Sequence, residues 1–75
     1  MDLNEFVAAF AAEFDETPEE VFKADTEFQT LDEWGSLVAL SIIAMIDEEM
    51  DKTITGADIR ASRTIEDLYN RALSK

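Results

Sequence analysis

The sequence contains no cysteine and no histidine. Without cysteine, neither a disulfide nor a thiolate metal site can form. Without histidine, the chain lacks the commonest general base and the commonest ligand of transition metals in proteins. We therefore expect a protein that is not an enzyme in its own right and that works through partners.

Basic side chains are almost absent from the first two thirds of the chain. Residues 1–51 hold 15 of the 18 acidic side chains, and Lys23 is the only basic residue there. Such a field repels nucleic acid and anionic lipid and favours basic protein surfaces. We expect no nucleic-acid partner, although acidity also serves solubility and does not by itself define a function.

Long hydrophobic runs are missing as well. The longest uncharged run, residues 34–46, is too short to cross a bilayer. The opening residues carry neither a basic segment nor an apolar segment of the kind found in signal peptides. We expect a cytoplasmic protein with no membrane insertion.

The 75 residues are enough for one domain, and no strand pattern occurs in them. Asp2 and Glu5 form a capping-box pattern. Apolar residues at helical spacing then predict a first helix through about residue 14. These residues are Leu3, Phe6, Val7, Phe10 and Phe14.

A long connection follows, over residues 15–35. Thr17 as cap, Pro18 and Glu20 predict a short helical turn through Val21 and Phe22. Beyond it, three apolar residues recur among acids and are expected to pin the loop onto the core. They are Phe28, Leu31 and Trp34.

Three further helices are predicted. The second, from Ser36 to about Met50, is apolar nearly all round before its acidic end. Capping boxes at Thr55 and Thr64 open a short third helix and a last amphipathic helix. The fold class is thus all-α: a small bundle of three long helices and one short one, with a long first loop, in a single domain over residues 1–75.

Ser36 stands where the acidic loop turns into the apolar second helix. A serine here is expected to cap the helix through its side-chain oxygen. It also presents that oxygen where the helix dipole and the free N–H groups favour a phosphate.

These features together resemble an acyl carrier protein over essentially the whole chain. That family carries a short motif, usually Asp-Ser-Leu, at the start of its second helix, and here the motif reads Gly35-Ser36-Leu37. The resemblance implies 4'-phosphopantetheine, attached to Ser36 by a phosphopantetheinyl transferase from coenzyme A. It also implies an acyl-carrier-protein-like bundle that holds acyl intermediates as thioesters.

Further expectations follow from the same resemblance. The partners would be the transferase and enzymes that transfer or condense acyl groups, such as ketoacyl synthases. The cargo would be a fatty or polyketide-like acyl group, partly sheltered among the Leu, Ile and Phe side chains of helices one, two and four. A carrier that visits many enzymes is expected to be a monomer.

Gly35 departs from the family motif, because an aspartate usually precedes the serine and helps the transferase recognise it. Asp32 and Glu33 lie close by in sequence and are expected to replace part of its field. Glycine also allows a tight turn into the helix.

One face of the second helix is the candidate partner-binding surface. In the family this face is rich in acids, but here only one acid remains, and an exposed Val–Met stripe is expected in its place. The alternative is that Val38 and Met45 simply complete the core. The face consists of Val38, Ser41, Met45 and Glu48.

No metal site is predicted. Residues 51–62 have an aspartate first and a glycine sixth, as a calcium-binding loop does, but Ser62 stands where that loop needs a bidentate glutamate.

Two other functions remain open on the sequence. One is a stand-alone carrier of aminoacyl or peptidyl groups. The other is an unmodified acidic protein-interaction module of the same fold, which Gly35 and the loss of acids from the second helix favour.

Overall fold

The computed structural model describes residues 1–75 and contains helices but no strand. The four α-helices are α1 (Leu3–Ala11), α2 (Ser36–Met50), α3 (Gly56–Arg60) and α4 (Ile65–Leu73). Two 3₁₀ turns, Glu19–Val21 and Phe28–Thr30, lie in the long connection between α1 and α2. The predicted all-α bundle with one short helix and a long first loop is confirmed.

Three of the four helices begin with a complete capping box. The side chains of Asp2, Thr55 and Thr64 each accept a hydrogen bond from the backbone N–H of the third residue of their helix. The acidic side chain of that third residue in turn accepts a hydrogen bond from the backbone N–H of the capping residue. These boxes were predictable because each is formed by residues three apart in the chain.

Helix α1 is shorter than the periodicity predicts. It ends at Ala11 because the next residues form tighter turns, with the N–H of Glu13 and Phe14 bonded three residues back rather than four. Phe14 nevertheless stays buried, so the apolar stripe continues beyond the end of the helix.

An aromatic cluster centred on Phe10 fills the core. The Phe10 ring is fully buried, and its centroid lies 5.3 Å from that of Phe28 and 5.6 Å from that of Phe14. Trp34 stacks almost parallel to Phe10 and packs edge-on against Phe28, with centroids 4.9 Å apart. Each buried aromatic ring removes a large apolar area from water, which matters in so short a chain.

The long connection is tied down along its length. Phe28 is fully buried, and Leu31 and Trp34 pack against the core, which confirms the three predicted anchors. Gln29 donates hydrogen bonds to the carbonyls of Ile59 (3.0 Å) and Ser62 (2.8 Å), at the end of α3. The loop therefore brings Trp34 and the start of α2 against α3.

The predicted cap at Thr17 is wrong. The 3₁₀ turn begins after Pro18 and has no side-chain cap. The Thr17 hydroxyl instead donates a 2.7 Å hydrogen bond to Glu33, 16 residues away, so a tertiary partner has replaced the local one.

No helix is both long enough and apolar enough to cross a membrane.

Candidate functional site

Ser36 is the first residue of α2, and its hydroxyl is free. The residue before it, Gly35, has an extended backbone and takes the N-cap position, where its carbonyl accepts the first helical hydrogen bond, from Ala39 (2.9 Å). Ser36 already has helical backbone geometry, and its exposed side chain forms no hydrogen bond. The prediction that Ser36 caps α2 is therefore wrong, because the cap position is one residue earlier.

The start of α2 thus differs from the starts of the other helices. It has no side-chain cap and no acidic residue in its first turn. No cap or acid of its own first turn therefore compensates the positive end of the dipole of this 15-residue helix.

A solvent-open groove of about 570 Å³ lies beside Ser36, between α2 and α3. Half of its lining residues are hydrophobic. The lining residues are Gln29, Trp34, Gly35, Ser36, Ala39, Leu40, Ile43, Gly56, Ile59 and Arg60.

The predicted place for an acyl chain, among α1, α2 and α4, is wrong, because the groove is lined by other elements. Residues of α3 and of the loop take the place of α1 and α4, and no cavity of the molecule is lined by α1, α2 and α4 together. The reason is that the aromatic cluster fills the space where α1 meets the rest of the bundle.

The predicted Val–Met surface is wrong at Met45. Its side chain is only 6% exposed and belongs to the core, and Val38 is half-buried against the same core. Ser41 donates a 3.3 Å hydrogen bond back to the Leu37 carbonyl. Only Glu48 of the predicted face is exposed, so the alternative in which the apolar pair completes the core is correct.

The exposed apolar residues of α2 lie on another face. Leu37, which was named as a site residue only because of the Gly-Ser-Leu motif, is 78% exposed, and Leu40 is 63% exposed. Ala44 is also exposed one turn further on. The exposure of Leu40 and Ala44 was not predicted, because α2 is apolar nearly all round and spacing alone does not tell which side faces the core.

Glu33 is engaged in the loop and does not face the candidate site as a free acid. Its carboxylate accepts hydrogen bonds from the backbone N–H groups of Asp15 (2.7 Å), Glu16 (3.1 Å) and Thr17 (2.9 Å). The Thr17 hydroxyl, followed by these N–H groups, lowers the pKa of Glu33. Of the two acids expected to replace the missing aspartate, only Asp32 is exposed and without a hydrogen-bond partner.

Trp34 serves as an anchor, as predicted. Its ring is half-buried between Phe10 and Phe28, and it also lines the groove next to Ser36. The ring fixes the chain two residues before the serine, so the position of the free hydroxyl is set by the core.

Arg60 is the one charged residue that lines the groove. Nothing in its sequence neighbourhood distinguishes it, because its place in the groove depends on how α3 packs against the loop.

No group of three or more acidic side chains is arranged to hold a metal ion. No protein family, curated protein or solved structure matches this chain.

Proposed function

We propose that this protein is an acyl carrier protein that holds its cargo on a phosphopantetheine arm at Ser36. One observation carries the proposal: an exposed serine hydroxyl without any hydrogen bond stands at the uncapped start of α2, beside an open and partly apolar groove. A side chain in this position is free for modification.

The residues present fit the prosthetic group. Neither a hydrogen bond nor burial restricts the Ser36 oxygen, because its side chain is exposed and does not cap the helix. A phosphodiester therefore has room on the serine, and the helix start offers it favourable electrostatics. When bound, the group would supply a flexible arm ending in a thiol that carries acyl groups as thioesters.

The attachment requires an external catalyst, because no base of the chain bonds to Ser36. The Ser36 oxygen would attack the phosphorus that bears pantetheine in coenzyme A. An Oγ–P bond forms, the pyrophosphate bond breaks, and adenosine 3',5'-bisphosphate leaves. The hydroxyl proton passes to a base of the transferase.

The groove supports a fatty or polyketide-like cargo. Its apolar wall consists of Trp34, Ala39, Leu40, Ile43 and Ile59. An acyl chain bent back from the arm would lose contact with water there, which is favourable by roughly 0.8 kcal/mol for each CH₂ group that is buried. The exposed Leu37 and Leu40 offer the transferase and the acyl-transferring enzymes an apolar contact next to the modified serine.

The test is the intact mass of the protein before and after incubation with coenzyme A and a phosphopantetheinyl transferase of broad specificity. We expect the mass to rise by one phosphopantetheine group. The rise should vanish in Ser36→Ala and persist in Ser41→Ala, the matched control on the same helix. Loading of Ser36→Ala would refute the site, and a bare wild-type protein would refute the carrier function.

Gly35 supports a second candidate, an unmodified acidic interaction module. If the protein purified from its native cell carries no arm and co-purifies with one stoichiometric partner, this second function is favoured. If it carries an arm loaded with an aminoacyl or peptidyl group, it is a carrier of a different cargo. We propose a cytoplasmic monomer in either case.

A further inference from the structure

Arg60 carries a charge that no other group of the protein neutralises. Although the chain has 18 acidic side chains, Arg60 forms neither an ion pair nor a side-chain hydrogen bond. By contrast, Arg71 and Lys75 both pair with Asp58. An unpaired guanidinium in so acidic a protein is available to an anion from outside the chain.

The position of Arg60 is defined by α3. Its Nη1 atom lies 3.2 Å from where a Cβ on Gly56 would be, so the guanidinium rests against the first turn of the helix. Gly56 does not have a positive φ, and its backbone conformation therefore does not require glycine. The absence of a side chain at residue 56 leaves room for the guanidinium at the wall of the groove.

The groove carries a positive charge, opposite in sign to the net charge of the protein. The lining includes no acidic residue, and Arg60 is its only charged one, in a chain with a net charge of −12. Ser36 lines the same groove. A phosphodiester on Ser36 would be a permanent anion, and arginine binds phosphate oxygens through two parallel N–H donors.

We propose that Arg60 pairs with the phosphodiester on Ser36 and holds the arm against the α3 wall of the groove. This inference rests on the proposed function. Arg60 acts as a positioning residue: it orients the first bonds of the arm towards the apolar wall between α2 and α3, and it takes no part in acyl transfer.

The test is an NMR comparison of the bare and loaded protein. On loading, the Nε–H resonance of Arg60 should shift, whereas that of Arg63 should not. Arg63 is the matched control, because it is exposed, forms no ion pair and does not line the groove. The ³¹P resonance of the loaded protein should move in Arg60→Gln and stay in place in Arg63→Gln.

The two proposals fail in different ways. If wild-type Ser36 is never loaded, the carrier function fails. If Ser36 is loaded while the Arg60 resonance and the ³¹P shift of Arg60→Gln remain unchanged, only the pairing is overturned. Equal ³¹P changes in the Arg60 and Arg63 variants also overturn it, because they would reflect net charge alone. If the transferase does not load Arg60→Gln, the shift of the Arg60 Nε–H resonance on loading of the wild type alone tests the pairing, and an unchanged resonance overturns it.

Discussion

At the scale of single residues, the start of α2 shows how a shift of one position along the chain decides whether a serine caps its helix. Gly35 has the backbone conformation and the carbonyl of an N-cap, but it has no side chain with which to cap. Ser36 has the hydroxyl that could cap, but it stands one residue too late. The result is a serine whose oxygen makes no contribution to the helix that presents it.

Replacing Ser36 with alanine should therefore leave stability almost unchanged, by less than about 0.5 kcal/mol, because no hydrogen bond is lost at this exposed position. Urea unfolding of the bare protein measures the difference. A loss of more than about 1 kcal/mol would show that the hydroxyl caps the helix in solution.

If Ser36 is loaded as proposed, Gly35→Asp should raise the rate of loading by the transferase, because it introduces the carboxylate that acyl carrier proteins usually have before the serine. The substitution meets no obstacle, since the space around the new Cβ is open. A cap at this position should also add about a few tenths of a kcal/mol of stability. Gly35→Ala is the control, and initial loading rates decide. Equal rates for the two variants would mean that the carboxylate has no role.

At the scale of elements, α2 has one face in the core and one apolar face in solvent. Met45→Ala should cost about 2–5 kcal/mol, the usual range for a buried side chain of this size. Leu40→Ala, its exposed counterpart, should stay within about 0.5 kcal/mol. Urea denaturation of the two variants compares the faces directly, and equal losses would contradict the burial seen here.

The connection between α1 and α2 depends on Glu33 in a similar way. A glutamine at this position has one acceptor oxygen and no charge, so Glu33→Gln should weaken the hydrogen bonds to residues 15–17. The backbone N–H groups of Asp15, Glu16 and Thr17 should then exchange with solvent faster. Asp32→Asn, beside it and unbonded, should leave these exchange rates unchanged. Protection that survives in Glu33→Gln would show that the loop is held by other contacts.

The elements also show what the sequence could reveal. The bounds of α2 and the three capping boxes were predictable, because each depends on residues a few positions apart. The cap predicted at Thr17 was wrong, because the Thr17 hydroxyl bonds to a residue 16 positions away. The burial of Met45 could not be predicted, because α2 is apolar on every side. The place of Arg60 in the groove could not be predicted either, because α3 meets the groove only through tertiary contacts.

At the scale of the whole molecule, the distribution of charge lowers the stability of the fold. The acids crowd into residues 1–51, and α2 ends in Asp47, Glu48 and Glu49, where the helix dipole disfavours negative charge. Repulsion of this kind disfavours the compact fold, while the same field attracts basic surfaces. Attachment of the C-terminal residues to α3 partly offsets the repulsion.

Asp58 makes that attachment, and its titration gives a prediction for the whole fold. Lys75, at 2.9 Å, is the main cause that lowers the pKa of Asp58 to about 2, followed by the backbone N–H of Thr55. Because the pKa is lower in the folded state than in the unfolded chain, Asp58 stabilises the fold above the ordinary value of 3.8. Its contribution is lost as the pH falls from there towards 2.

Urea unfolding at several values between pH 5 and pH 2 should show this loss as a shrinking difference between the wild type and Asp58→Asn. The comparison isolates Asp58, because protonation of the other acids relieves repulsion equally in both proteins. A constant gap for Asp58→Asn would mean that Asp58 titrates alike in the folded and unfolded chains, and that its tie to Lys75 contributes nothing to the stability of the bundle.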